Sequence, residues 1–226
     1  MKYIVIGLGY FGTSLATKLT SLGHEVIGID NRQERVEELK DRMAKVLVMD
    51  STSQKAIESL PISDMDGIIV AIGEDIGSSV LTLFMLKKLN VKRLIGRAIN
   101  PRHQNILSEL GIEEIVHPEE DTATIVSSLL MVKNAVSILP LNDDYIIAEI
   151  VVPSKYVGHT IDTINLESRF DVKLVTVKIA PRERGLSTVL KKDFQIDKTC
   201  DRYRPLREND RLILIGEIQR IKQIID

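Results

Sequence analysis

Residues 4–12 read Ile-Val-Ile-Gly-Leu-Gly-Tyr-Phe-Gly, an apolar run closed by three glycines spaced Gly7-x-Gly9-x-x-Gly12. A β-branched run followed at once by that spacing predicts a strand, a tight turn and the start of a helix. In such a unit the first glycine makes the turn, the second lets a pyrophosphate approach the backbone, and the third lets the helix pack close to the sheet. The phosphates rest on free N–H groups at the positive end of the helix, which begins here near Phe11, with Tyr10 beside it in the turn. A glycine triplet alone is a weak signal, and its surroundings strengthen it. Asp30 closes the next apolar run, residues 26–30, where a carboxylate can accept both ribose hydroxyls, and Asn31 stands beside it. Asp30 also argues against a 2′-phosphate, which would face a like charge, although Arg32 two residues on tempers that argument.

Outward from this stretch, short β-branched runs alternate with segments of helical period. Strands are expected at 3–6, 26–30, 46–49, 67–72, 94–98 and 114–117. Their near-continuous apolar character fits a parallel sheet covered on both faces, so the fold class is α/β, a Rossmann-like doubly wound parallel sheet. After His117-Pro118 come Glu119, Glu120 and Asp121, which suit a helix N-terminus, and an apolar stripe through Ile125, Leu129, Val132 and Val136. The surplus of apolar side chains at 129–132 fits either a subunit contact or packing within the chain. The polar, proline-containing stretch 139–144 reads as a boundary between a nucleotide-binding domain, 1–138, and a small α+β domain, 139–226. In that second domain strands are expected at 145–152, 172–179 and 211–215, with helices near 160–166 and 218–225. Residues 181–192 read as a mobile polar connection.

Several further residues fall at carboxyl ends of expected strands, where ligands bind in open α/β sheets. Asp50 and Ser51 follow the third strand and either border an adenine or, with Ser53, cap a helix. Ala71, Ile72 and Gly73 end the fourth with small side chains that leave room over the sheet. Arg97 ends the fifth and is placed to pair with phosphate, or else is an ordinary surface arginine. Glu119, Glu120 and Asp121 either supply oxygen ligands to Mg²⁺ or Na⁺ beside phosphates or simply cap a helix.

Hydride-transfer chemistry needs a proton donor or acceptor beside the cofactor. His24 lies in a turn on the wrong side of the sheet, His103 in a polar turn beside Pro101, and His117 before a proline at the crevice edge. None of the five tyrosines has a lysine four residues later, so the Tyr-x-x-x-Lys pair is missing. There is no Cys-x-x-Cys and no histidine pair at helical spacing. An NAD-dependent oxidoreductase is therefore the alternative and not the main reading. A DNA-binding NADH sensor would need a basic helix-turn-helix segment, for which neither terminus has room.

The net charge of −2 over 226 residues gives no electrostatic footprint for nucleic acid. A single cysteine, Cys200, rules out an internal disulfide framework and suits a reducing cytosol. The first residues lack a secretory pattern, and no apolar run approaches the roughly 20 residues of a membrane span. A soluble protein is expected, with any membrane connection made through a partner.

The stretches VIGLGYFGTSLATKLTSLGHEVIGID (5–30), DST (50–52), IIVAIGED (68–75), GRA (96–98) and IVHPEED (115–121) together resemble the RCK (regulator of potassium conductance) domain of Trk/Ktr-type potassium-uptake proteins. The tail ENDRLILIGEIQRIKQI (208–224) is similar to the end of that family's RCK_C module, so the resemblance covers nearly the whole chain. It implies a cytosolic gating ring and not an enzyme: domains that bind ATP, ADP, NAD or NADH, pair as dimers, and assemble as an octamer beneath a potassium-translocating membrane subunit. By position it assigns Gly7, Gly9 and Gly12 to the phosphates, Asp30 to the ribose, Asp50 and Ser51 to the adenosine side, and Arg97 to the terminal phosphate. Glu119 matches a glutamate that can hold a cation at the nucleotide. Some relatives bind cyclic di-AMP between RCK_C modules, for which Arg169 is a candidate phosphate contact. Tyr10 departs from the pattern, because many ATP-sensing members carry arginine there. One neutral hydroxyl replaces a charged fork, which weakens discrimination in favour of a triphosphate.

Overall fold

The computed structural model describes residues 1–181 and 194–226; the connection expected at 181–192 lies almost wholly outside the described residues. The chain divides into two compact units, Met1–Glu120 and Asp121–Asp226.

The first unit alternates strand and helix throughout: β1 (Lys2–Ile6), α1 (Tyr10–Ser21), β2 (Glu25–Asp30), α2 (Gln33–Leu39), β3 (Lys45–Val48), α3 (Gln54–Glu58), β4 (Gly67–Val70), α4 (Ile76–Lys88), β5 (Leu94–Arg97), α5 (Pro101–Glu109) and β6 (Glu114–Val116). All six strands are parallel, in the order β3-β2-β1-β4-β5-β6, which is the doubly wound arrangement expected from the sequence. The order reverses between β1 and β4, where Ile4 pairs with both Ile27 and Ile68. Side chains of β1 alternate between two cores. Ile4 and Ile6 join Ile68, Leu83, Leu86 and Leu107 on one face, and Val5 joins Val26, Leu39, Ile69 and Ala16 on the other. Burial on both faces is why these strands read as unbroken apolar runs.

The helix termini follow their local chemistry. Asp75 caps α4, accepting from Ser78 N–H at 3.2 Å, and Asn100 caps α5, accepting from His103 N–H at 2.9 Å with Pro101 in the first turn. His103 is thus not in a turn. It lies inside α5 with 1% exposure, and neither ring nitrogen meets a protein hydrogen-bond partner. Burial holds its pKa below the ordinary value. Of the two serines expected at the start of α3, Ser53 is the N-cap residue, without a side-chain bond, and Ser51 is engaged elsewhere.

Helix α6 (Pro118–Met131) begins at the end of the first unit and leads into β7 (Ala135–Pro140), β8 (Tyr145–Val151), α7 (Ile161–Ile164), α8 (Leu166–Phe170), β9 (Lys173–Ile179), β10 (Gln195–Ile196), β11 (Arg211–Glu217) and α9 (Ile218–Ile225). The strands form an antiparallel sheet, order β10-β9-β11-β8-β7, backed by α9, which buries Ile218, Ile221 and Ile224. Val136 does not continue the helical stripe but lies in β7, and the stretch 139–144 forms the β7–β8 hairpin. The physical reason is turn chemistry: Asn142 accepts from the N–H groups of Asp144 (3.0 Å) and Tyr145 (2.8 Å), and Pro140 is tolerated because β7 is an edge strand. The helix expected near 160–166 is split at Asn165, which adopts the left-handed conformation with φ 52°.

Candidate nucleotide-binding site

A crevice of about 490 Å³ opens over the carboxyl ends of β1 to β5, within the range of ligand pockets. Its floor is the turn after β1. Gly7 has φ +92°, and a Cβ on it would lie 2.9 Å from Ile72 N, so the strand can turn into α1 only without a side chain. A Cβ on Gly12 would sit 1.9 Å from the Gly7 carbonyl oxygen, whereas a Cβ on Gly9 would meet nothing within 4 Å. Two glycines are demanded by the fold, and the third faces open crevice, where phosphate could approach the N–H groups of α1. Gly9 is the helix N-cap and supplies no side chain there, which leaves that approach clear.

Asp30 ends β2 with 5% exposure. Its Oδ2 accepts from Leu8 N–H at 2.8 Å, tying the strand to the glycine turn, and its Oδ1 accepts from Arg32 N–H at 3.0 Å. The Arg32 guanidinium lies across both oxygens, with Nε 3.0 Å from Oδ1 and Nη2 3.3 Å from Oδ2. Burial pushes the Asp30 carboxyl up, but Arg32 and Leu8 together outweigh it and hold the group below its ordinary value. The acceptors expected to face a ribose diol are therefore engaged by the Arg32 guanidinium.

Asn31, Asp50, Ala71, Ile72 and Gly73 border the same crevice. Asp50 accepts from Thr52 N–H and Oγ1–H at 2.9 and 2.7 Å, which holds its carboxyl below the ordinary range. Ser51 lines the crevice, yet its hydroxyl turns inward to Thr82 of α4, 2.9 Å away. Tyr10 also lines the crevice; it is 90% exposed, with the Arg35 guanidinium 5.9 Å from its ring centre. Arg97 donates from Nη1 to the Ala71 carbonyl at 3.2 Å, lies 5.6 Å over the Phe11 ring, and pairs through Nη2 with Glu119. A Cβ on Gly73 would collide with that guanidinium at 2.5 Å, so Gly73 makes room for Arg97 as much as for a ligand.

Glu119 contributes one carboxylate, already paired with Arg97. Among the described residues no group of three or more His, Cys, Asp or Glu side chains comes together to hold a metal ion. A cation at Glu119 would need its remaining ligands from phosphate or from a second subunit. Glu74 and Asp75 also line the crevice; the Asp-x-x-Ser pattern at 75–78 is the sequence signal for them, since a helix cap here sits on the site's rim. Arg169 stays with its own helical turn, 3.4 Å from the Ile164 carbonyl and 5.2 Å from the Phe170 ring centre.

The TrkA-N domain model matches residues 3–118, more than half of the chain and nearly the whole of the crevice. The chain belongs to the TrkA-N family. It is 33% identical over 177 residues to the Ktr system potassium uptake protein C of Bacillus subtilis (strain 168), covering 78% of this chain and 80% of that protein. It is 26% identical over 215 residues to the Ktr system potassium uptake protein A of Vibrio alginolyticus, covering 95% of this chain and 92% of that one. Among solved structures it is similar to the GsuK RCK domain, with a TM-score of 0.63 at 18% identity over 99% of this chain and 47% of that chain. This chain thus spans about half the length of that neighbour and shares its fold. The GsuK channel bound to NAD is similar at a TM-score of 0.62 and 18% identity, over 100% of this chain and 39% of that one.

Proposed function

We propose that this chain is the nucleotide-responsive regulatory subunit of a Ktr/Trk-type potassium uptake system. The observation that carries the reading is the glycine turn, open at Gly9 and flanked by Asp30 and Arg97, in a chain whose relatives are named as potassium uptake proteins. An adenine nucleotide seats its phosphates on the N-terminus of α1, near Arg97, and its ribose at Asp30. ATP, ADP, NAD and NADH share that core, and Tyr10 gives no charged fork that would select a triphosphate. Glu119 could add one ligand to a Mg²⁺ or Na⁺ ion held mainly by phosphate.

Regulation requires that a nucleotide bind one conformation better than another, since a ligand shifts an equilibrium only by its differential affinity. Copies of the chain pair, close into a ring on the cytoplasmic side and transmit nucleotide identity to a potassium-translocating membrane subunit. Ile125, Val126, Leu130 and Met131 support self-association, since all four are exposed on α6. No helix among the described residues is long and apolar enough to cross a membrane, so in this reading the membrane-embedded part is the partner. The second unit is a candidate for cyclic di-AMP, with calorimetry of that ligand as its check.

The primary experiment is a thermal-shift panel of ATP, ADP, AMP, NAD and NADH with and without Mg²⁺, on the wild-type protein and on Asp30→Ala. A ligand at 100 times its Kd stabilises the native state by about 2.7 kcal/mol. At least one nucleotide should raise the melting temperature of the wild type, and that rise should shrink in the variant. Indifference of the wild type to all five at millimolar concentration, or nicotinamide-dependent turnover of a metabolite, would sink the reading. Small-angle scattering that gives one ring geometry with every nucleotide would sink its gating part.

A further inference from the structure

We propose that Arg32 is an internal stand-in for the ribose, a specificity-determining side chain that occupies the two acceptor positions on Asp30 which a 2′,3′-diol would use. The inference deepens the nucleotide reading above and rests on it.

A carboxylate offers about four lone-pair sites. On Asp30 all four are filled. Two are taken by backbone N–H groups, Leu8 on Oδ2 and Arg32 on Oδ1, and these are fixed by the glycine turn and the end of β2. The other two are taken by one guanidinium, Nε on Oδ1 and Nη2 on Oδ2. A ribose diol also brings two donors, one for each oxygen, so it replaces the guanidinium bond for bond. It cannot join it.

The two groups differ in how easily they leave. Asp30 is buried to 4% side-chain exposure and anchored, while the Arg32 side chain is 45% exposed and can swing into water. A landing place exists on the crevice rim. Glu74 Oε2 is 3.7 Å from Arg32 Nη1, on the turn between β4 and α4. In the empty crevice the guanidinium keeps a buried carboxylate satisfied; when a nucleotide enters, Arg32 moves toward Glu74 and the diol takes its place. Every ribonucleotide must overcome the same competitor, and a ligand lacking the hydroxyls leaves it where it is.

The test is calorimetric titration of ADP and 2′,3′-dideoxy-ADP into the full-length wild-type protein, Arg32→Met and Arg32→Lys. Arg32 is half-exposed, so both variants should fold, and Arg32→Met should melt slightly lower than the wild type without ligand, because the buried Asp30 carboxylate loses its guanidinium partner. Arg32→Met removes the competitor, and ADP should bind about three- to ten-fold tighter, the range for a charge-assisted pair discounted for exposure. Arg32→Lys keeps the charge but cannot span both oxygens, so its gain should be smaller. Dideoxy-ADP should bind all three proteins alike. ADP binding that is unchanged or weaker in Arg32→Met, or an equal gain for dideoxy-ADP, would overturn the stand-in role while leaving the nucleotide site intact. Absence of ADP binding in both the wild type and Arg32→Met would overturn the site and the stand-in role together.

Discussion

The three glycines of the first turn do different physical work, and their separation can be measured. Gly12 is needed because a Cβ would sit 1.9 Å from a backbone oxygen that cannot move without unmaking the turn. Gly12→Ala should cost about 3 kcal/mol or more in unliganded stability, as overpacking against backbone does. Gly9 faces open space at φ −67°, a conformation alanine adopts freely. Gly9→Ala should cost less than about 1 kcal/mol, the scale of a lost N-cap preference, yet abolish most of the nucleotide-induced thermal shift. Denaturant melts paired with ligand titration separate the two, and a Gly9→Ala protein that binds ADP as the wild type does would refute the placement of phosphate at α1. At this scale the sequence was most legible for glycines, whose spacing encodes backbone geometry. It was least legible for Arg32 and Ser51, because where a flexible side chain turns depends on partners that the chain brings together only on folding.

Elements of the first sheet were legible nearly to the residue, since each strand carries an unbroken β-branched run and each helix a cap or an apolar stripe. The second sheet was harder. Edge strand β7 buries only Ile138 and ends in a proline, and β10 has only two residues, so neither projects a pattern over enough chain to be seen. Its most informative polar feature joins four strands. Glu149 on β8 is largely buried; it accepts from Lys178 on β9 at 2.5 Å and Arg211 on β11 at 2.7 Å, and Ser137 on β7 lies 3.4 Å away. Burial raises the Glu149 pKa, but the two cations outweigh it and leave the group below its ordinary value of 4.5. A depressed folded value means that the stabilisation is complete at neutral pH and drains away as the pH falls past 4.5 and through the folded value. Glu149→Gln should therefore lose about 1–3 kcal/mol at pH 7, discounted because both cations are partly exposed, and show a shallower acid limb than the wild type. Urea melts from pH 7 down to about pH 3 would expose the difference; coincident curves would mean the cluster contributes nothing.

At the scale of the whole molecule, the apolar clusters of the described residues each fall within one unit. Two clusters sandwich the parallel sheet and draw only on residues up to Ile115, while a third draws only on residues from Leu129 onward. Such separate interiors have a calorimetric consequence, because cooperativity extends only as far as continuous packing does. Heating should produce two endotherms in place of one. A saturating adenine nucleotide should displace just one of them upward, that of Met1–Glu120, and leave its companion where it was. A single merged peak that moves as a whole would mean that the two halves melt together despite their divided cores.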